Sequence, residues 1–463
     1  VNVQNAPSGA KLDAWMDFNG DGSWGGAGEQ IFASQSVVNG DNALTFDVPS
    51  WAVSGTTYAR LRLSTSGALG LTGSASDGEV EDYEIEIIPP IATSGVFSTE
   101  NVVSTTADKA YSTHAADVDD DGDMDLLSAS FEDDKIAWYE NDGAQNFTEH
   151  VVSSTADEAR TVITQDVDGD GDLDVLSASQ GDNKVAWYEN DGSQNFTERV
   201  ISNSASNVVG IFTADMDSDG DIDVLSASEL DDKIAWYEND GDQNFTERVI
   251  STAAVRAISV YAVDVDSDGD LDVVSASRLD DKVAWYENDG SQNFSERVIS
   301  STSDSAIGVT AADMDDDGDI DILAASSLDN TLAWFENDGS ESFTERVVSI
   351  TADGARVAFP ADVDGDGDTD ILAVSENDDK TAWYENDGNQ VFTEHILSTS
   401  GDGPQSIFPA DIDGDGDLDV VSASLNDDKI TWYENLTFDF GDAPSPYPVT
   451  EAENGARHVA TGP

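Results

Sequence analysis

Apolar and polar residues alternate with a period of two along most of this chain, in short runs separated by Gly, Asp, Asn and Ser. That period marks strands with one face in a core, and the separators are turn formers. Residues 161–202 show the unit: TVITQDV, an acidic loop, LDVLSAS, KVAWYEN and NFTERVIS. β-Branched and aromatic residues dominate these four runs. No segment keeps a helical period through three turns, so the chain reads as all-β.

The unit repeats. An aspartate motif, D-x-D-x-D-G-D-x-D, begins at Asp117, Asp166, Asp215, Asp264, Asp313, Asp362 and Asp411, always 49 residues apart. Trp138, Trp187, Trp236, Trp285, Trp334, Trp383 and Trp432 keep the same interval. Seven four-stranded units of this length predict a seven-bladed β-propeller, with an open solenoid as the competing architecture. The seventh unit ends at KITWYENLTFDF and lacks the outer strand of the other six, whereas a matching strand, Val96 to Ser104, precedes the first. Closure of a ring by that spare strand is therefore expected.

The ends differ from the repeats. Residues 1–89 contain WMDFNGDGSW, TTYARLRLS and SDGEVEDYEIEII, and the prolines at 89 and 90 open a linker. The expected division is 1–89, an N-terminal β-sandwich; 90–437, the propeller; and 438–463, either the start of a second sandwich or a tail for strand exchange. VNVQNAPSG at the start has no signal-peptide pattern, so the chain reads as a segment of something longer.

Charge narrows the function. The formal net charge is −77, with 96 acidic and 19 basic residues, a balance that repels nucleic acid and anionic lipid. No apolar run is long enough to span a membrane as a helix, and the absence of cysteine excludes disulfides and thiolate metal sites. The aspartates are too regular to serve as solvation alone. Carboxylates at loop positions 1, 3, 5 and 9, glycine at 6 and a backbone oxygen at 7 suit a hard cation with six or seven oxygen ligands, which favours calcium over magnesium. The candidate ligands are Asp117, Asp119, Asp121, Asp123 and Asp125 in the first loop and Asp166, Asp168, Asp170, Asp172 and Asp174 in the second. Asp215, Asp217, Asp219, Asp221 and Asp223 follow, then Asp264, Asp266, Asp268, Asp270 and Asp272. The last three sets are Asp313, Asp315, Asp317, Asp319 and Asp321; Asp362, Asp364, Asp366, Asp368 and Asp370; and Asp411, Asp413, Asp415, Asp417 and Asp419. An eighth candidate, with a plain turn as its competitor, is Asp17, Asn19 and Asp21 with Glu29. About seven Ca2+ ions are expected in the propeller and one more in the N-terminal domain.

With these loops, residues 96–437 resemble the FG-GAP/VCBS repeat family, which includes the integrin alpha-subunit propeller. The resemblance implies extracellular calcium and adhesion or ligand binding. Residues 1–89 resemble the bacterial GEVEDY β-sandwich, common in large surface proteins, and the tail resembles the opening of that same domain.

No nucleophile motif, phosphate loop or histidine metal set appears, and the chain reads as non-enzymatic. The expectation is a calcium-binding extracellular structural and adhesive module, secreted or on a bacterial surface. Its partners would be a protein or glycan, or other copies of itself through the terminal segments. A lectin and an accessory domain of a secreted enzyme are the alternatives. The tryptophans are expected between blades, and Lys135 and its equivalents beside aspartates. The connections opposite the calcium loops vary, with Phe131-Glu132, Gln180-Gly181, Glu229-Leu230, Arg278-Leu279 and Glu376-Asn377 at matching positions, which marks that rim as the recognition face.

Overall fold

Period-two alternation gives each repeat four antiparallel strands in consecutive order. The computed structural model describes residues 2–3, 10–18, 30–42, 44, 55–67, 69, 71, 79–87, 95–436, 438–440 and 457–459. It divides into two units, Val1–Pro89 and Pro90–Pro463. In the second, the first blade runs from an innermost strand, Ala110–Ala116, through Asp125–Ser130 and Lys135–Asn141 to an outermost strand, Phe147–Ser153. Five more blades repeat this order without crossovers.

The seventh blade completes the ring. Its sheet holds Pro404–Ala410, Asp419–Ser424 and Lys429–Tyr433 from the end of the repeats, and its fourth strand is Asn101–Ser104 from before the first. Thr431 pairs with Val102 and Trp432 with Asn101, a bridge joins Phe97 to Asn435, and Lys429 reaches Glu100 at 3.0 Å. The spare strand is thus the fastener, and the structure is a closed seven-bladed propeller, not a solenoid.

Residue size explains how the blades pack. The second strand of every blade, DLLSAS in the first, is buried at every position because a neighbouring sheet covers each face. Alanines on these strands leave room for the bulky residues of the next blade. Trp138 lies in one cluster with Ala129 and Ile136 of its own blade and Ala156, Ala159, Val162, Val175 and Tyr188 of the next. The tryptophans are therefore inter-blade core, as expected. In blades two and three the outermost strands are exposed at four consecutive middle positions and half-buried or buried only toward their ends.

The innermost strands bring rings together across blade boundaries. Phe212 meets Tyr261 at 4.5 Å, Phe359 meets Phe408 at 5.4 Å, and His114 lies 4.5 Å from Phe408. Burial pushes the His114 imidazole down to about 4, so it is neutral at physiological pH.

In the N-terminal unit, Ala10–Met16, Gln30–Val37, Gly55–Ser64 and Glu79–Ile87 form a four-stranded sheet. Its order places Ala10–Met16 and Gly55–Ser64 at the centre. Both strands read from YARLRLS and DYEIEII are present. In the tail, Phe438–Phe440 pairs with Arg457–Val459.

Closure has a direct test. A chain beginning at residue 95 should melt like the full propeller, whereas one beginning at residue 105 should melt markedly lower, because blade seven loses its outer strand. Trp285→Ala, at a fully buried inter-blade position, should cost about 3–5 kcal/mol in denaturant unfolding.

Candidate metal centres

Strand register fixes the acidic loops. The innermost strand of blade one ends at Ala116 and its neighbour begins at Asp125, so residues 117–124 must reverse the chain. They do so with left-handed backbone at loop positions four and six: φ is 58° at Asp120 and 95° at Gly122, and 71° at Gly169 and 101° at Gly171. Glycine is constant at position six, and position four accepts Asp, Ser or Gly, residues that tolerate this region best or carry a short polar side chain.

Backbone N–H groups then aim the carboxylates. Asp117 accepts from the amides of Asp121 at 3.1 Å and Gly122 at 3.0 Å. Asp125 accepts from Val118 through Oδ2 at 3.0 Å and from Asn141 through Oδ1 at 2.8 Å. Asp117, Asp119 and Asp125 each thereby present a carboxylate oxygen within 4.8 Å of the others. The same triad forms from Asp166, Asp168 and Asp174; Asp215, Asp217 and Asp223; Asp264, Asp266 and Asp272; and Asp313, Asp315 and Asp321, with two further clusters.

These clusters are electrostatically costly as they stand. Burial pushes the carboxyl groups of Asp125, Asp174, Asp223 and Asp272 up to about 7, those of Asp321 and Asp370 to about 8, and that of Asp419 to about 9. At loop position three, burial comes first and the charge of the position-five aspartate second. Together they raise Asp217 and Asp413 to about 6 and Asp364 to about 7. Oδ1 of Asp119, Asp217 and Asp315 is buried without a hydrogen-bond partner. Three converging carboxylates, one with an orphaned oxygen and none with a basic partner, form an oxygen-only donor set suited to a hard divalent cation.

The predicted ligands separate by role. Positions one, three and nine converge in the triads. At position five, Asp121 instead accepts the amide of Asp123 at 3.0 Å, and Asp170, Asp219, Asp268, Asp317, Asp366 and Asp415 accept the equivalent bond. At position seven the side chain turns away toward the third connection of the blade. A Cβ on Gly143 would sit 2.5 Å from Asp123 Oδ2, and Gly192 and Gly290 face Asp172 and Asp270 in the same way. The carbonyl is then the group that this residue can offer an ion. In the N-terminal unit Asp17 is buried at the end of its strand, and its amide donates to Tyr58 O at 3.1 Å. Asn19, Asp21 and Glu29 lie outside the described residues.

Sequence reasoning missed the asparagine that closes each site. Besides its amide bond to Asp125, the Asn141 side chain donates to Met124 O at 3.0 Å and to Ile412 O, in the loop of the preceding blade, at 3.1 Å. Asn190, Asn337 and Asn435 reach Val118, Val265 and Val363 likewise. Its signal was present: Trp-[Tyr/Phe]-Glu-Asn recurs in all seven units. The lysines behave as expected, with an added partner: Lys135 pairs with Asp133 at 3.2 Å and with Glu149 at 2.8 Å.

A closed ring with an acidic loop in every blade, each bringing three aspartates together, defines a propeller of repeated units with candidate cation sites. The windows 117–177, 166–226, 215–275, 264–324, 313–373 and 362–422 match the FG-GAP-like repeat, and the chain belongs to that family. Residues 11–86 match the GEVED domain. No curated protein sequence matches the chain. Among solved structures it is similar to one titled "Streptogramin B lyase structure", at 15% identity over 73% of this chain and 97% of that one, with a TM-score of 0.54. It is also similar to BBS1N in complex with ARL6DN, at 11% identity over 73% and 96%, with a TM-score of 0.53. At such identities these likenesses show the fold alone.

The raised carboxyls give the chelator-treated protein a distinctive pH profile. A group whose folded value lies above its unfolded 3.8 stabilises the fold below that value and loses its contribution as pH rises through the folded one. Melting temperature without divalent ions should therefore fall from about pH 4 to about pH 9. Saturating calcium should remove most of this decline, because the metal binds the ionised form.

Proposed function

We propose that this chain is a calcium-dependent structural and recognition module of a secreted or surface protein, without catalytic activity of its own. The observation that carries this reading is the sevenfold recurrence of converging aspartates, one of each triad fully buried. Each raised carboxyl is a group that the fold buries at a cost unless a cation accompanies it. Positions one, three and nine would hold the ion through carboxylates and position seven through its carbonyl, a set that suits calcium better than magnesium. Seven divalent ions would offset 14 of the 77 excess negative charges on the chain.

Magnitude supports a structural role. A site that binds only the folded state adds about 2.7 kcal/mol when free calcium is 100-fold above its dissociation constant. A few such sites equal the net stability of an ordinary domain, about 5–15 kcal/mol. Recognition is the complementary half of the reading. The calcium loops spend one rim on the metal with nearly identical sequence, while the turns on the other rim differ from blade to blade.

Calorimetric titration of the chelated chain should give seven calcium ions, or eight if the N-terminal loop also binds. Chelation should lower the melting temperature by tens of degrees, and Asp119→Ala should remove one ion while leaving a folded ring. An unchanged melting temperature on chelation would refute the calcium-dependent reading.

A further inference from the structure

On the rim opposite the calcium loops, the innermost strands begin with a bulge, as between Ala110 and Ser112 or between Ala159 and Thr161. The residue at the bulge therefore lies at the axial mouth of the ring. Around the seven blades it is Tyr111, Arg160, Val209, Ile258, Ile307, Arg356 and Gln405. The turn after the second strand lies on the same rim, since Phe131 and Glu132 donate their amides to Lys109 O and Asp108 O.

Arg160 is anomalous there. Residues 95–436 contain 15 lysines and arginines, and the other fourteen all pair with a carboxylate. Arg160 pairs with none among the described residues, in a chain where acidic residues outnumber basic ones fivefold. Its guanidinium lies 3.7 Å from the centre of the Tyr111 ring, and Phe131 lies beyond, 5.9 Å from Tyr111. Two acidic residues of this face are already engaged: Glu229 by Arg256 at 2.6 Å and Arg278 at 3.2 Å, and Glu376 by Arg356 at 2.5 Å. Burial, opposed by Tyr111 and Glu229 and reinforced by Arg356 and Arg278, holds the guanidinium below its ordinary range, although its surface is only half-buried. A recessed cation that water still reaches, held over an aromatic face, is positioned for a bidentate oxyanion.

The same rim offers an apolar seat. At the position after Glu229, Arg278 and Ser327, three consecutive blades expose Leu230, Leu279 and Leu328 at 59%, 62% and 71%. The equivalent residues elsewhere are Glu132, Gly181, Asn377 and Asn426. With a net charge of −77 the protein repels polyanions at long range. One carboxylate on an uncharged body suffers far less, since screening confines the field to about 8 Å at physiological salt.

We propose that Arg160 receives a single carboxylate from an otherwise uncharged, leucine-bearing peptide segment of a partner protein, with Leu230, Leu279 and Leu328 seating its apolar residues. This rests on the reading of the variable rim as the recognition face, and it adds the ligand chemistry and the anchor. Two arginines held by Glu229 and one held by Glu376 frame the anchor without competing for the ligand.

The test uses the full chain in saturating calcium and ligand-observed NMR, with acetyl-alanyl-leucyl-leucine as the free acid, the same peptide as its amide, and glucuronate. The free acid should bind in roughly the millimolar range expected of so small a probe. Amidation and Arg160→Gln should each weaken binding about ten- to a hundredfold, and Arg160→Lys should restore part of the loss. Melting temperature and calcium stoichiometry should be unchanged in both variants, which separates a failed anchor from a failed ring. Equal binding of acid and amide, unaltered binding by Arg160→Gln, or no binding of the acid would overturn the proposal. Arg160-dependent binding of glucuronate without the peptide would overturn it in favour of an acidic glycan.

Discussion

Burial of one carboxylate at the start of each second strand is the constraint on which this propeller turns. Asp125 and its six equivalents have no exposed surface, and each is held by two backbone amides, one from its own loop and one from the third strand. Backbone amides solvate the charge only in part, as the raised carboxyls show. The remaining compensation comes from a proton or a cation, and two neighbouring aspartates make the cation the better answer above acidic pH. The same carboxylate aligns the asparagine that bonds to the preceding blade. The buried carboxylate of the aspartate triad and the blade-to-blade register are thus coupled through one residue pair.

The rest of the ring is built around that coupling. Small residues on the middle strands allow each sheet to nest on the next around a tryptophan and a tyrosine, so no blade has a complete core alone. This makes closure decisive. A ring leaves no inter-blade face uncovered, whereas a solenoid of the same units would expose one at each end. The strand Asn101–Ser104 joins the two ends of the repeat array within a single sheet.

Charge is divided between the rims. The rim of the acidic loops concentrates aspartate, and these loops differ little because backbone geometry, triad convergence and inter-blade bonding all constrain them at once. The other rim is under weaker constraint. There the lysines of the repeats pair with local Asp and Glu, and the axial residues are free to differ. Arg160 stands out against this background because every comparable cation of the propeller is neutralised.

Strand type, blade number, the closing strand and the acidic loops were all legible in the sequence, because each rests on local chemistry repeated seven times: alternation, turn residues and aspartate spacing. Positions one, three, five and nine were read as one carboxylate set, and the structure brings the carboxylates of one, three and nine within 4.8 Å of one another. Only the tertiary structure showed that the position-five carboxylate is used within its own loop. Likewise, it showed that the position-seven side chain leans on a turn glycine and that Asn141 binds across to Ile412. Those facts depend on which loops the blades bring side by side. The isolation of Arg160 has the same origin, since the absence of a partner is a property of three-dimensional neighbours and leaves no mark on spacing along the chain.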